Sequence, residues 1–292
     1  MDKATRAPLV EGIFYPAEEG ELKRLLETGT GEIETPIDDK LAGIVFPHAA
    51  YEFILPFLLE GFSLLRRNAP PPKTIILAAG LHREKQRGIF LPPHRAFSSP
   101  IRDVPVDTEA VTRIHNGVED SHIEELPFLE EHSFEVLLPP ISLFFPEASV
   151  IPVLTGNDEG QTVSAFSQAL ELVENEETVI TISSNITGET DRKNAELQRD
   201  AFIETLTEKS AEESEYRAAR FMRLVREGRI TACAAAAIAG IMGRYPDFSA
   251  IPLQTGSSRW NDEPREVYYG TVALTEGNSK HTYFSKEDRY GY

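Results

Sequence analysis

Two short apolar runs, each closed by a turn and then a histidine, constrain this chain more than any other feature. Ala42 to Phe46 has strand composition, Pro47 stops it because proline has no N–H for a ladder, and His48 comes next. Thr74 to Ala79 repeats the grammar, with Gly80-Leu81 as the turn and His82 after it. Unbroken apolar runs of this length suit strands buried on both faces, which need helices above and below them. In open α/β sheets ligands gather beyond the carboxyl ends of the strands. An imidazole placed there can hold a metal or move a proton. Each histidine alone also fits a polar strand cap, so the pattern speaks for the fold before it speaks for chemistry.

The rest of the chain alternates in the same way. Gly88–Leu91, Ser149–Leu154, Thr178–Ser183, Ile251–Leu253 and Val267–Leu274 read as further strands. Helical spacing of apolar residues predicts helices over Glu18–Glu27, Phe53–Leu65, Thr108–His115, Thr162–Val173, Arg192–Thr205, Glu213–Arg226 and Thr231–Met242. Phe134–Phe145 is dense enough in apolar residues for a helix, but Pro139-Pro140 must kink or break it. Thr28 to Lys40 reads as a loop. This order predicts an α/β protein with a largely covered sheet. With no internal repeat and no low-complexity linker, one domain over residues 1–274 is expected, and then a polar tail over 275–292.

Charge narrows the partners. A formal net charge of −18 disfavours nucleic-acid phosphate and anionic membrane surfaces, since both repel an acidic protein. No stretch approaches the roughly 20 apolar residues of a membrane span, and the first residues lead into no apolar signal segment. The single cysteine, Cys233, rules out a disulfide within the chain. A cytoplasmic protein is the expectation, with a small molecule, a protein or a peptide as its partner.

Two further residues could carry chemistry. Thr231 is placed to cap a helix whose second residue would be Cys233, where the positive end of the dipole favours thiolate, the metal-binding form. A buried cysteine in an alanine-rich helix fits the same pattern. His132 lies in Glu130-Glu131-His132-Ser133-Phe134-Glu135, where acidic neighbours should raise its affinity for protons and a carboxylate could orient a histidine. Phosphate-loop, His-Glu-x-x-His and Gly-x-Ser-x-Gly signatures are absent. His94, His115, His122 and His281 read as surface residues.

The ordered set of motifs resembles the Memo family, which includes the protein-B component of the AmmeMemoRadiSam system. Gly12-Ile13-Phe14-Tyr15-Pro16 is similar to that family's Gly-x-Phe/Trp-Tyr-Pro opening, and Pro47-His48-Ala49-Ala50-Tyr51 to its Pro-His-Ala-Gly-Tyr. Glu131-His132-Ser133-Phe134-Glu135 with Leu138-Pro139 resembles its Glu-His-Ser-x-Glu-x-x-Leu-Pro. Leu81-His82, Ile151-Pro152-Val153-Leu154, Ser183-Ser184 and Tyr269-Gly270 fall in the matching order, so the likeness runs from about Arg6 to Leu274.

The resemblance implies a three-layer α/β/α fold related to the class III extradiol ring-opening dioxygenases. It implies a metal held by His48, His82 and Cys233, with His132 close by as the catalytic candidate. Two imidazoles and a thiolate suit iron, copper or zinc. A metal-dependent, oxygenase-like oxidoreductase is the implied activity, and a hydrolase using the same metal lacks an obvious base. The chain also departs from the pattern. Where the family has Ser-Ser-Asp and a histidine three residues after the aspartate, this chain has Ser183-Ser184-Asn185 and Gly188. That loss of a carboxylate and an imidazole leaves a second reading open, a non-catalytic binding module on the same fold.

Overall fold

Four parallel strands form the centre of the sheet, in the spatial order Leu41–Phe46, Thr178–Ser183, Thr74–Gly80 and Ser149–Thr155. The computed structural model describes residues 5–28, 37, 40–67, 71–83, 86–156, 160–208, 214–245, 247–259 and 265–276. Registers run straight across the sheet: Phe46 pairs with Ser183, Ser183 with Ala79, and Gly80 with Thr155. All four carboxyl ends therefore finish along one edge, and the residues just beyond them share it. Arg265–Thr275 extends the sheet antiparallel to Leu41–Phe46, and Ser249–Arg259 pairs along it. On the other side Ile89–Leu91 lies antiparallel to Ser149–Thr155, with Ser121–Ile123 beyond it.

Helices cover both faces, as the side-chain alternation of a single strand shows. Gly43 faces Ile241 of the helix Ala235–Arg244. Phe46, three residues on, points the opposite way into the helix Tyr51–Arg67, where a Cβ at Gly61 would stand 2.2 Å from its ring. Successive side chains in a strand alternate faces, so these contacts put one helix on each side and give the expected α/β/α layering. The apolar runs read from the sequence are buried accordingly: Ile44, Val45 and Phe46 are inaccessible, as are Leu77, Ala78 and Ala79.

The N-terminal segment is tied to this core through one carboxylate. Thr5–Arg6 pairs with Ala96–Phe97, which pairs with Val104–Pro105. Arg6 is buried and forms an ion pair with Glu135. Glu135 also accepts from the backbone N–H groups of Leu9 and Val10 and from the Tyr15 hydroxyl. Tyr51 completes the attachment, its N–H donating to the Phe14 carbonyl at 2.7 Å and its hydroxyl to the Val136 carbonyl at 2.7 Å. The loop carrying Phe14 is thereby fixed against the start of the helix that succeeds His48.

Several boundaries differ from the sequence reading. The last helix starts at Ala235, not Thr231, and Cys233 lies in a turn before it. Phe134–Phe145 divides into a 3-10 turn, Glu135–Leu137, and a helix, Leu138–Phe144, with the two prolines in its first turn, where their missing N–H groups cost least. Ser121–Ile123 and Thr190–Asp191 are strands too short to show a period. His94 is not a surface residue but is 3% exposed, beside Phe97 and Glu125. Most of the Thr28–Lys40 loop, residue 213, His281 and residues 277–292 of the polar tail lie outside the described residues. Among the described residues, no helix is long and apolar enough to cross a membrane.

Candidate metal centre

His48, His82 and Cys233, far apart in sequence, meet at the carboxyl edge of the sheet. One ligand-type atom from each lies within 4.8 Å of the other two. The topology explains the meeting. Thr178–Ser183 is flanked by the two strands that lead to His48 and His82, so both imidazoles converge over its end. Their ring centroids are 5.0 Å apart, edge to face.

Each imidazole is aimed by a partner behind it. His48 is buried, and its Nδ1 lies 3.1 Å from Ser183 Oγ. That hydroxyl gives its own proton to the Ser133 carbonyl at 2.5 Å, so it is left to accept from Nδ1–H of His48. With Nδ1 taken by Ser183, Nε2 is the nitrogen left for Cys233, with which His48 shares a hydrogen bond. Asn185 clamps the same residue from the backbone: its Oδ1 accepts from His48 N–H at 2.9 Å and its Nδ2 donates to the His48 carbonyl at 3.1 Å.

Glu131 serves His82. Its Oε1 lies 2.9 Å from Nδ1, and its Oε2 accepts the His82 backbone N–H at 2.9 Å. The carboxylate also accepts from the N–H groups of His132 and Ser133, at 3.1 and 2.9 Å. Burial opposes the charge on Glu131, yet the His82 and backbone hydrogen bonds overcome it and hold its carboxyl at about 2. A carboxylate behind a histidine fixes the tautomer and raises the basicity of the nitrogen on the far side. The side chain of His82 is 30% exposed, so the cluster faces solvent there.

Cys233 arrives by close backbone approach. A Cβ at position 80 would lie 1.9 Å from the Cys233 carbonyl oxygen, so only glycine admits this turn against the strand end. Ser184 Oγ holds the next residue by accepting Ala234 N–H at 3.1 Å. The expected cap by Thr231 does not form. Its hydroxyl accepts from Gly188 N–H at 3.0 Å and donates to Gln198 Oε1 at 2.9 Å. The reason for a thiolate therefore changes. Burial would push the thiol up, but His48 and His82 outweigh it and bring Cys233 to about 5. The reciprocal effect raises His82: burial disfavours its charge, while hydrogen bonds to Cys233 and Glu131 lift it to about 10.

His132 stands beside the three ligand candidates without joining them. Its ring centroid is 5.9 Å from that of His48 and 5.5 Å from that of His82, and Phe14 packs edge-on against it at 5.5 Å. The expectation that acidic neighbours raise its proton affinity is overturned. Burial lowers it more than Glu131 raises it, and His48, His82 and Arg83 lower it further, to about 4. At neutral pH it is an uncharged imidazole that can accept or share a proton.

The Memo-like protein family matches residues 6–251. This chain belongs to the Memo family. A MEMO1 family protein of Nitrosopumilus maritimus is 24% identical over 280 residues, covering 91% of this Memo-like chain and 98% of that protein. Another from Thermotoga neapolitana is 29% identical over 217 residues, covering 70% and 77% respectively. The crystal structure of an uncharacterized protein from Escherichia coli K12 shares the fold, with a TM-score of 0.52 at 10% identity over 80% of this chain and 99% of that one.

All four site residues read from the sequence of this Memo-family chain are brought together. Sequence reasoning did not reach Ser183 as the partner of His48, nor Gly80 as the condition for Cys233. The expected carboxylate that orients a histidine is Glu131, and the histidine it orients is His82, 49 positions away.

Proposed function

We propose that this protein binds one transition-metal ion through His48, His82 and Cys233 and serves an oxygenase-like redox role on a small substrate. The observation that carries the proposal is the convergence of three ligand-type atoms within 4.8 Å, with the Nδ1 atoms of both imidazoles already engaged by Ser183 and Glu131. Such second partners are typical of histidines that ligate through the other nitrogen. The donor set fits the group. Two imidazoles with a thiolate suit iron, copper or zinc, and the thiol is held in its anionic form. Iron or copper would supply redox chemistry there, and zinc Lewis-acid chemistry.

The chain's own residues then have distinct roles. Glu131 and Ser183 orient the imidazoles, Asn185 fixes the backbone of His48, and Gly80 admits Cys233. His132, uncharged and next to the cluster, takes or returns a proton at a substrate entering from the exposed side of His82. A second reading, a non-catalytic binding module, draws on Asn185 and Gly188. Both are spent on holding the chain, so neither replaces the carboxylate and imidazole of the family pattern.

The test is metal content after purification and after anaerobic loading with Fe(II), Cu(I) or Zn(II), compared with His48→Ala and Cys233→Ala. One ion per chain, lost in both variants, is the expected result. Wild-type protein that takes up none of the three metals would overturn the proposal.

A further inference from the structure

The sheet keeps one edge open. Among the described residues Ser249–Arg259 pairs only with Arg265–Thr275, which is bonded on its far side to Leu41–Phe46 and Thr190–Asp191. Both faces of this outer strand are covered. On one, a Cβ at Gly256 would stand 2.9 Å from Phe57 of the helix Tyr51–Arg67. On the other, Arg199 of the helix Arg192–Thr207 lies over the ring of Tyr268, the cross-strand neighbour of Ser257. What stays open is the backbone edge.

The register shows which groups line that edge. Tyr268 spends both backbone groups on its far side: its carbonyl accepts from Ile186 N–H at 3.0 Å, and its N–H donates to Thr187 Oγ1 at 3.0 Å. Ser257, directly opposite Tyr268, therefore belongs to a non-hydrogen-bonded pair, and its N–H and carbonyl point away from the sheet. Thr255, two residues back, points the same way. Ser257 is exposed and Thr255 half-buried, and neither backbone has a partner on that side among the described residues. Free edges are commonly guarded by charge, proline or a bulge. The first half of this strand has Pro252 and the register shift before Gln254, but residues 254–258 carry no such guard.

An open edge takes an extended strand, and the charge pattern says which. Residues 249–258 contain no charged side chain, in a chain that is 26% charged and carries a net −18. A basic segment finds no acidic side chain on this strand to attract it, whereas a second acidic copy can approach here without like charges facing one another. The edge is also self-complementary. About a twofold axis at Gly256, Thr255 of one copy faces Ser257 of the other, and both have outward N–H and carbonyl groups to exchange. Threonine and serine side chains also suit each other across such a pair. We propose that the protein forms a twofold dimer by antiparallel pairing of residues 254–258 with the same segment of a second copy, joining the two sheets into one. The inference goes beyond the proposed function and does not rest on the metal.

The experiment is sedimentation velocity on the full chain over a range of concentrations. A species of twice the 32.6 kDa chain mass should appear at micromolar concentration. Thr255→Pro and Ser257→Pro each delete an outward N–H that the chain itself does not use, so the ladder with Arg265–Thr275 stays whole. Each should weaken the dimer about 30-fold or more, through hydrogen bonds lost in both copies, with the circular dichroism of the wild type. Hydrogen exchange reads the same edge without substitution: the Thr255 and Ser257 amides should exchange slowly in concentrated solution and fast on dilution to the monomer. If the proline variants fail to fold, that exchange decides the matter. A wild-type chain that stays monomeric, a dimer that both folded proline variants leave intact, or exchange at Thr255 and Ser257 that is independent of concentration would overturn the inference.

Discussion

The carbonyl oxygen of Cys233 occupies the place where a side chain at Gly80 would begin, 1.9 Å from the ideal Cβ position. The obstacle is backbone, so it cannot rotate away. Gly80→Ala should force the Cys233 turn off the strand end, at a cost of about 1–3 kcal/mol of stability, as for other overpacked sites. Metal uptake should fall with it. Thermal unfolding and metal content measured on the same samples check this, and a variant with unchanged metal binding would contradict the role given to Gly80.

Glu131→Gln tests the carboxylate behind His82. An amide keeps one acceptor oxygen where the carboxylate meets donors on both, and it brings an NH₂ group toward N–H donors. Metal affinity should weaken by about 10–100-fold. Competition with a chelator of known affinity reads the change directly.

Metal affinity should rise with pH. His82 holds its proton up to about 10 in the metal-free chain, so an ion binding at neutral pH must release that proton. Affinity should then tighten about tenfold per pH unit between about 5 and about 10. Below about 5 Cys233 is protonated as well, and the dependence should steepen toward two protons per ion. Zinc titrations at pH 6, 7 and 8 would show the slope, and a flat profile would exclude His82 as a ligand.

Acid should destabilise the metal-free protein in two stages. The folded-state values of His132 and Glu131 are both depressed, from 6.5 to about 4 and from 4.5 to about 2. Each therefore favours folding above its unfolded value and loses that contribution as pH falls through the folded one. The melting temperature should begin to drop near pH 6.5 and drop further below pH 4.5. His132→Asn should shrink the first stage, to which Cys233, held at about 5 against an ordinary 9, also contributes, and leave the second.

Asn185→Asp would restore the residue type of the family pattern. It should nevertheless destabilise this chain, because aspartate cannot donate to the His48 carbonyl, as Asn185 Nδ2 does at 3.1 Å. A carboxylate oxygen facing that carbonyl should cost about 1–3 kcal/mol. Denaturant unfolding at pH 7 measures it, and a gain in stability would mean that the clamp does not hold His48 in place.

The sequence by itself determined the central strands and the turns that close them. Ala42–Phe46 and Thr74–Ala79 are legible because burial on both faces demands unbroken apolar runs, and a proline or glycine marks where each run stops. His48, His82, Cys233 and His132 were legible as candidates through the order of their motifs. The supports of the site were decided only in three dimensions. Thr231 has the composition of a helix cap, yet its hydroxyl is claimed by Gly188 and Gln198, each more than 30 positions away. Glu131 sits next to His132 in the chain but serves His82, and it is burial, which no local pattern records, that lowers His132 despite its acidic neighbour. Local sequence carries turn chemistry and periodicity. Proton affinity and ligand convergence depend on which strands lie side by side, and here that is the placement of Thr178–Ser183 between the two strands that end in histidine.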